Sequence, residues 1–125
     1  MEGKITVEEA TCALKRMKNG KSPGSDGFTV DFLKVFWKKR LDNLVVRAIN
    51  DGFDEGEMSP TQKEGIIVCI PKGDKPREYL RNWRPISLLN VVYKIATSCT
   101  AERMKKVLLT LISENQTGSM ANRYI

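Results

Sequence analysis

Proline and glycine between residues 71 and 85 constrain this chain more than any other feature. Pro71, Gly73, Pro76 and Pro85 fall in one short stretch, "IPKGDKPREYLRNWRPISLLN". Proline has no amide proton for a helical hydrogen bond and glycine loses the most freedom on folding, so no helix crosses it. The preceding run "GIIVCI", residues 65–70, is short and β-branched and reads as a buried strand. Trp83 to Leu88 supplies a return strand. The simplest solution is a β-hairpin with a long tip.

On either side the apolar spacing changes from two to three and four. In "TVEEATCALKRMK", Val7, Ala10, Leu14 and Met17 form one helical stripe. Thr6 and Glu9 form a capping box at its start, and Gly20 suits its stop. "NGKSPGSDGF" then reads as a connecting loop; its sharper alternative is a backbone that approaches a phosphate. Residues 29–53 read as one long helix or two abutting ones. Phe32, Leu33, Phe36, Trp37, Leu41, Leu44, Val45, Ala48 and Ile49 make its apolar face, and Lys38, Lys39 and Arg40 mark a break. Ser59-Pro60 suits the start of a single helical turn. Asn90 can cap a last helix, where Val92, Ile95, Ala96 and Cys99 share a face that Met104, Val107, Leu108, Leu111 and Ile112 continue. The expected fold is therefore helix-rich α/β, of the α+β kind, with a hairpin between helices.

The chain carries 21 Lys and Arg against 15 Asp and Glu. An excess of this size favours a polyanionic partner, nucleic acid first. No apolar window is long enough to span a membrane. The spaced cysteines Cys12, Cys69 and Cys99 stand in apolar settings and read as reduced, buried thiols of an intracellular protein, nuclear or cytoplasmic. The sequence contains no histidine, which removes the usual zinc ligand and the usual general base.

Half of the net +6 charge sits in the proline-rich stretch, where Lys72, Lys75, Arg77, Arg81 and Arg84 face only Asp74 and Glu78. Lys72 and Arg84 fall near the bases of the two strands and could hold a triphosphate, one as a point charge and one as a fork. Lys75, Arg77 and Arg81 fall at the tip and could follow a nucleic-acid backbone. Tyr79 and Trp83 offer faces for base stacking. A structural reading is equally concrete: Trp83 fills a core and the charges keep an edge strand soluble. No carboxylate pair sits at a strand tip, so no catalytic residue and no metal ligand is assigned.

The blocks "MKNGKSPGSDGFTVDFLKVFW", "IIVCIPKGD", "NWRPISLLNVVYKIA" and "QTGSM" follow one another in this order. In that order they resemble the N-terminal part of the reverse transcriptase of non-LTR (LINE-type) retrotransposons, over nearly the whole chain from about residue 5. The resemblance implies the fingers of a right-hand polymerase. Residues 1–58 would be a helical N-terminal extension, and residues 59–125 the start of the reverse transcriptase domain with hairpin, following helix and the beginning of the palm. Lys72 and Arg84 match the family's triphosphate contacts. Lys75, Arg77, Arg81, Lys94 and Arg103 would line the path of an RNA template and DNA primer. Mg2+ and dNTP are expected for the complete polymerase, none in this chain, because the family's metal-binding aspartates lie in a palm beyond "QTG".

Three residues depart from the family pattern: Ser25 in place of a proline, one lysine in "IPKGD" where two are common, and Ser119 in place of an aromatic. These suggest a decayed or truncated copy. The expected function is thus a polymerase fragment, inactive alone. The alternatives are a non-catalytic RNA- or DNA-binding module and a remnant without function.

Overall fold

The computed structural model describes residues 3–112. The "QTG" block, Ser119 and the expected beginning of the palm lie outside the described residues. Five helices and one hairpin follow in order: α1 (Val7–Arg16), α2 (Val30–Phe36), α3 (Leu41–Glu55), α4 (Pro60–Lys63), β1 (Gly65–Pro71), β2 (Trp83–Leu89) and α5 (Val91–Leu111). The fold is α+β: a group of packed helices with one two-stranded antiparallel sheet.

Local chemistry accounts for the ends of these elements. Thr6 accepts from the Glu9 amide, and the Glu9 carboxylate accepts from the Thr6 amide, so the capping box is formed at both bonds. Helix α1 ends at Arg16, with Met17 already extended, before Gly20 is reached. The break foreseen at residues 38–40 is real. A 3-10 turn, Trp37–Lys39, follows α2, and Arg40 takes φ 123° before α3 begins. Residues with a side chain rarely adopt that region, so helix geometry cannot continue through it.

The core forms where α1, α2, α3 and α5 meet. Ala10 and Leu14 of α1, Leu33 and the neighbouring Trp37, Ile49 of α3, and Ile95 of α5 are all buried in one cluster. This cluster draws from both sides of residue 58, so the helices flanking the hairpin share a single core. The buried polar groups are satisfied. Asn50 donates Nδ2 to the Ile5 carbonyl at 2.9 Å and accepts from the Ile5 amide at 2.7 Å. The Trp37 indole donates to Thr11 Oγ1 at 2.8 Å.

Four expectations are corrected here. The strand at residues 65–70 is exposed, because nothing in the described residues covers either face of a two-stranded sheet. Cys12 and Cys69 are exposed as well, and only Cys99 is buried. The apolar face across α2 and α3 is narrower than the spacing suggests. Leu33, Trp37, Val45 and Ile49 are buried, but Phe32, Phe36, Leu44 and Ala48 are exposed, while Val46 and Asn50 turn inward. In the stripe of α5, Ile95, Ala96 and Cys99 are buried and Val92 is half-buried, whereas Met104 and Leu111 are exposed.

Candidate nucleic-acid interface

The hairpin is built by an unbroken ladder from Gly65 opposite Leu89 to Pro71 opposite Trp83. Within it Ile70 stands opposite Arg84. Side chains alternate along a strand, so Lys72, two residues beyond Ile70, shares a face with Arg84. Both therefore stand at the tip end of the ladder, not near the strand bases as their sequence positions suggested. The Lys72 amide extends the ladder by one bond, to the Asn82 carbonyl at 2.7 Å.

The tip, residues 72–82, is organised from within. Three side chains donate to its carbonyl groups: Lys72 Nζ to Arg81 at 2.7 Å, Asn82 Nδ2 to Pro76 at 2.7 Å, and Trp83 Nε1 to Arg77 at 2.9 Å. A loop whose carbonyls are bonded inward has fewer acceptors to offer a ligand and keeps its cationic side chains outward. Trp83 is half-buried and serves as a donor to the tip, not as the filling of a core. Arg81 lies over the Tyr79 ring, 5.1 Å from its centroid. Among the described residues, none of Lys72, Lys75, Arg77, Arg81 and Arg84 forms an ion pair. Desolvated cations are normally paired; Lys75, Arg77, Arg81 and Arg84 are exposed, and Lys72 is half-buried.

Lys94 sits half-buried in the first turn of α5. Arg103 is engaged elsewhere. Its Nε donates to Glu9 Oε1 at 2.8 Å and its NH2 to Glu9 Oε2 at 2.7 Å, a two-point fork onto the carboxylate. It also donates to the carbonyls of Gly3 and Lys4 at 2.7 and 2.9 Å. The Arg103 guanidinium beside Glu9 holds that carboxyl down at about 2, against the opposing pull of burial. Arg103 thus ties the N-terminal segment to α5.

Sequence reasoning missed the root of the hairpin. Asn90 precedes α5 but makes no side-chain bond to that helix. It is only 1% exposed and bonds two other segments instead. Its Nδ2 donates to the Thr61 carbonyl at 2.7 Å, and its Oδ1 accepts from the Asp26 amide at 3.2 Å and from Ser25 Oγ at 3.5 Å. Gly24 permits this approach. A Cβ there would lie 2.5 Å from the Asn90 backbone nitrogen and 2.7 Å from the Leu89 carbonyl carbon. The glycine-rich loop thus packs on the hairpin root, and Ser25, the departure from proline, contributes a bond to it. The only advance signal was that glycine-rich "PGSDG" and "SLLN" occur in one chain.

Among the described residues, no three Cys, Asp or Glu side chains come close enough to hold one metal ion. None of the described helices is long and apolar enough to cross a membrane.

No family profile matches the chain. All 125 residues align at 34% identity with the transposon TX1 uncharacterized 149 kDa protein of Xenopus laevis, covering 9% of it. Over 105 residues, 83% of the chain, it is 31% identical to the probable RNA-directed DNA polymerase from transposon BS of Drosophila melanogaster, covering 11% of that protein. The chain is a region related to non-LTR retrotransposon reverse transcriptases. A third relative agrees: the putative 115 kDa protein in the type-1 retrotransposable element R1DM of Drosophila melanogaster is 29% identical over 108 residues. This reverse-transcriptase-related region spans about a tenth of the length of the curated relatives it matches.

Proposed function

We propose that this region forms the fingers of an RNA-directed DNA polymerase and that its hairpin clamps the incoming nucleotide and the template. Lys72 and Arg84, on one face at the tip end of the ladder, would contact the triphosphate. Lys72 can do so without losing its bond to the Arg81 carbonyl, since an ammonium has three donors. Lys75, Arg77, Arg81 and Lys94 would follow the phosphates of an RNA template and DNA primer. Residues 1–58 would serve as the helical extension and residues 59–125 as the start of the polymerase domain. Mg2+ and dNTP would be bound with the carboxylates of a palm elsewhere in the polymerase, and no catalytic step is assigned to a residue of this chain.

The observation that carries this reading is the set of hairpin cations left without ion pairs around a tip whose carbonyls are bonded inward. The exposed strands support it too. Apolar strand residues on both faces of the sheet suit a region that packs against the rest of a polymerase.

The test is the salt dependence of binding to single-stranded RNA. Four phosphate contacts, at Lys75, Arg77, Arg81 and Lys94, give a log–log slope of about −2.8. Replacing Lys75, Arg77 and Arg81 with alanine leaves about one contact and a slope of about −0.7. An unchanged slope would remove the tip from the interface. The chain alone should incorporate no dNTP on a primed template; measurable incorporation would refute the assignment of catalysis to a palm elsewhere.

A further inference from the structure

An exposed aromatic ladder runs from the residue before the α2 cap along α2, away from the hairpin cations. Phe28, Phe32 and Phe36 follow at intervals of four, with ring centroids 5.3 and 4.8 Å apart. All three rings are exposed, Phe32 and Phe36 at 39% each, and Val35 beside them at 66%. Next to Val35 is a hollow of about 160 Å³, lined by Leu14, Val35 and Trp37 and by Lys15, Lys34 and Lys38. Lys38, Lys39 and Arg40 follow the ladder at the corner between α2 and α3. Among the described residues Lys15, Lys38, Lys39 and Arg40 form no ion pair. The nearby acids are less available: Asp31 accepts from the Gly20 amide at 2.9 Å and Asp42 from the Asn43 amide at 2.7 Å.

We propose that this face of α2 docks an acidic amphipathic helix of a partner protein. The rings argue against a nucleobase. Phe32 is flanked by a ring on either side, and Phe36 by Phe32 and by the Lys39 ammonium, 5.6 Å from its centroid. Base stacking needs a free aromatic face. A ladder of mutually tilted rings, with an aliphatic neighbour and a small hollow beside it, suits the side chains of a helix laid along it. The surrounding cations set the sign of the partner's polar flank. This inference stands apart from the polymerase reading, because none of its residues belongs to the hairpin.

The test measures fluorescence anisotropy with three labelled probes: an amphipathic peptide with leucine along one face and glutamate on its flanks, the same peptide with lysine for glutamate, and polyuridine RNA. The acidic peptide is an idealised member of the proposed class. The chain should bind it at least about tenfold more tightly than the lysine version. Phe32→Ser and Val35→Glu should each weaken that binding about tenfold, as should K38E/K39E, with the melting temperature held near that of the parent. Val35, more exposed than Phe32, keeps the test decisive if Phe32→Ser fails to fold. No preference for the acidic peptide, or binding indifferent to Val35→Glu and Phe32→Ser, overturns the proposal. So does RNA binding that these two substitutions weaken, which would assign the ladder to nucleic acid.

Discussion

The helical core and the hairpin use the same kinds of residue to opposite ends. In the core, Ile49 is fully buried between α3 and its neighbours. In β1, Ile67 is 70% exposed, and Ile66, Val68 and Ile70 are exposed beside it. The helices are held together by side chains, whereas the hairpin is held by its backbone ladder and by donors to its tip. β-branched composition specifies an extended backbone, but burial requires a second layer, and a two-stranded sheet supplies none. The hairpin is therefore a shaped extension whose position depends on its root.

The largest expected effect separates the two regions directly. Ile49→Ala should lower stability by about 2–5 kcal/mol, through lost transfer energy and an unfilled cavity. Ile67→Ala should change it by about 0.5 kcal/mol at most. Urea midpoints compare them, and equal midpoints would break the contrast. Next comes the joint between the regions. Gly24→Ala forces a Cβ against the Asn90 and Leu89 backbone and should cost about 1–3 kcal/mol. Hydrogen exchange should then accelerate in β1 and β2 more than in α3. Acceleration confined to α3 would mean that the loop supports the helical core and not the hairpin.

Acid should act on the helices first. Glu9 titrates near 2 when folded against an ordinary value of 4.5. Its contribution is full above about 4.5 and is lost as pH falls from there towards 2. The exposure of the pair keeps the effect small. Glu9→Gln should lose stability at neutral pH and flatten the acid limb of the melting profile between pH 4.5 and 2. An acid limb identical to the parent's would show that the Arg103 tie does not stabilise the fold. The smallest effect belongs to the tip: Lys75→Ala and Arg77→Ala should leave the melting temperature almost unchanged, since exposed unpaired cations add little to stability.

What could be read in advance follows the range of each interaction. The capping box at Thr6 and Glu9, the break at Lys38–Arg40, the turn at Ser59-Pro60 and both strands depend on neighbours within about one helical turn or one hairpin. Their residue types specify them. The order of the motif blocks likewise pointed to the retrotransposon relatives, and the hairpin cations were nameable from charge alone.

Tertiary structure decided which groups face water and which face each other. It turned Asn90 from an expected cap into the joint of loop, α4 and α5, and it brought Arg103 of α5 against Glu9 of α1. It left β1 and the Phe28, Phe32 and Phe36 ladder uncovered although their composition suits a core. Glu9 and Arg103 are 94 residues apart in sequence, and Ser25 and Asn90 are 65 apart. Spacing along the chain describes a residue's own element; burial and pairing belong to whatever another element brings against it.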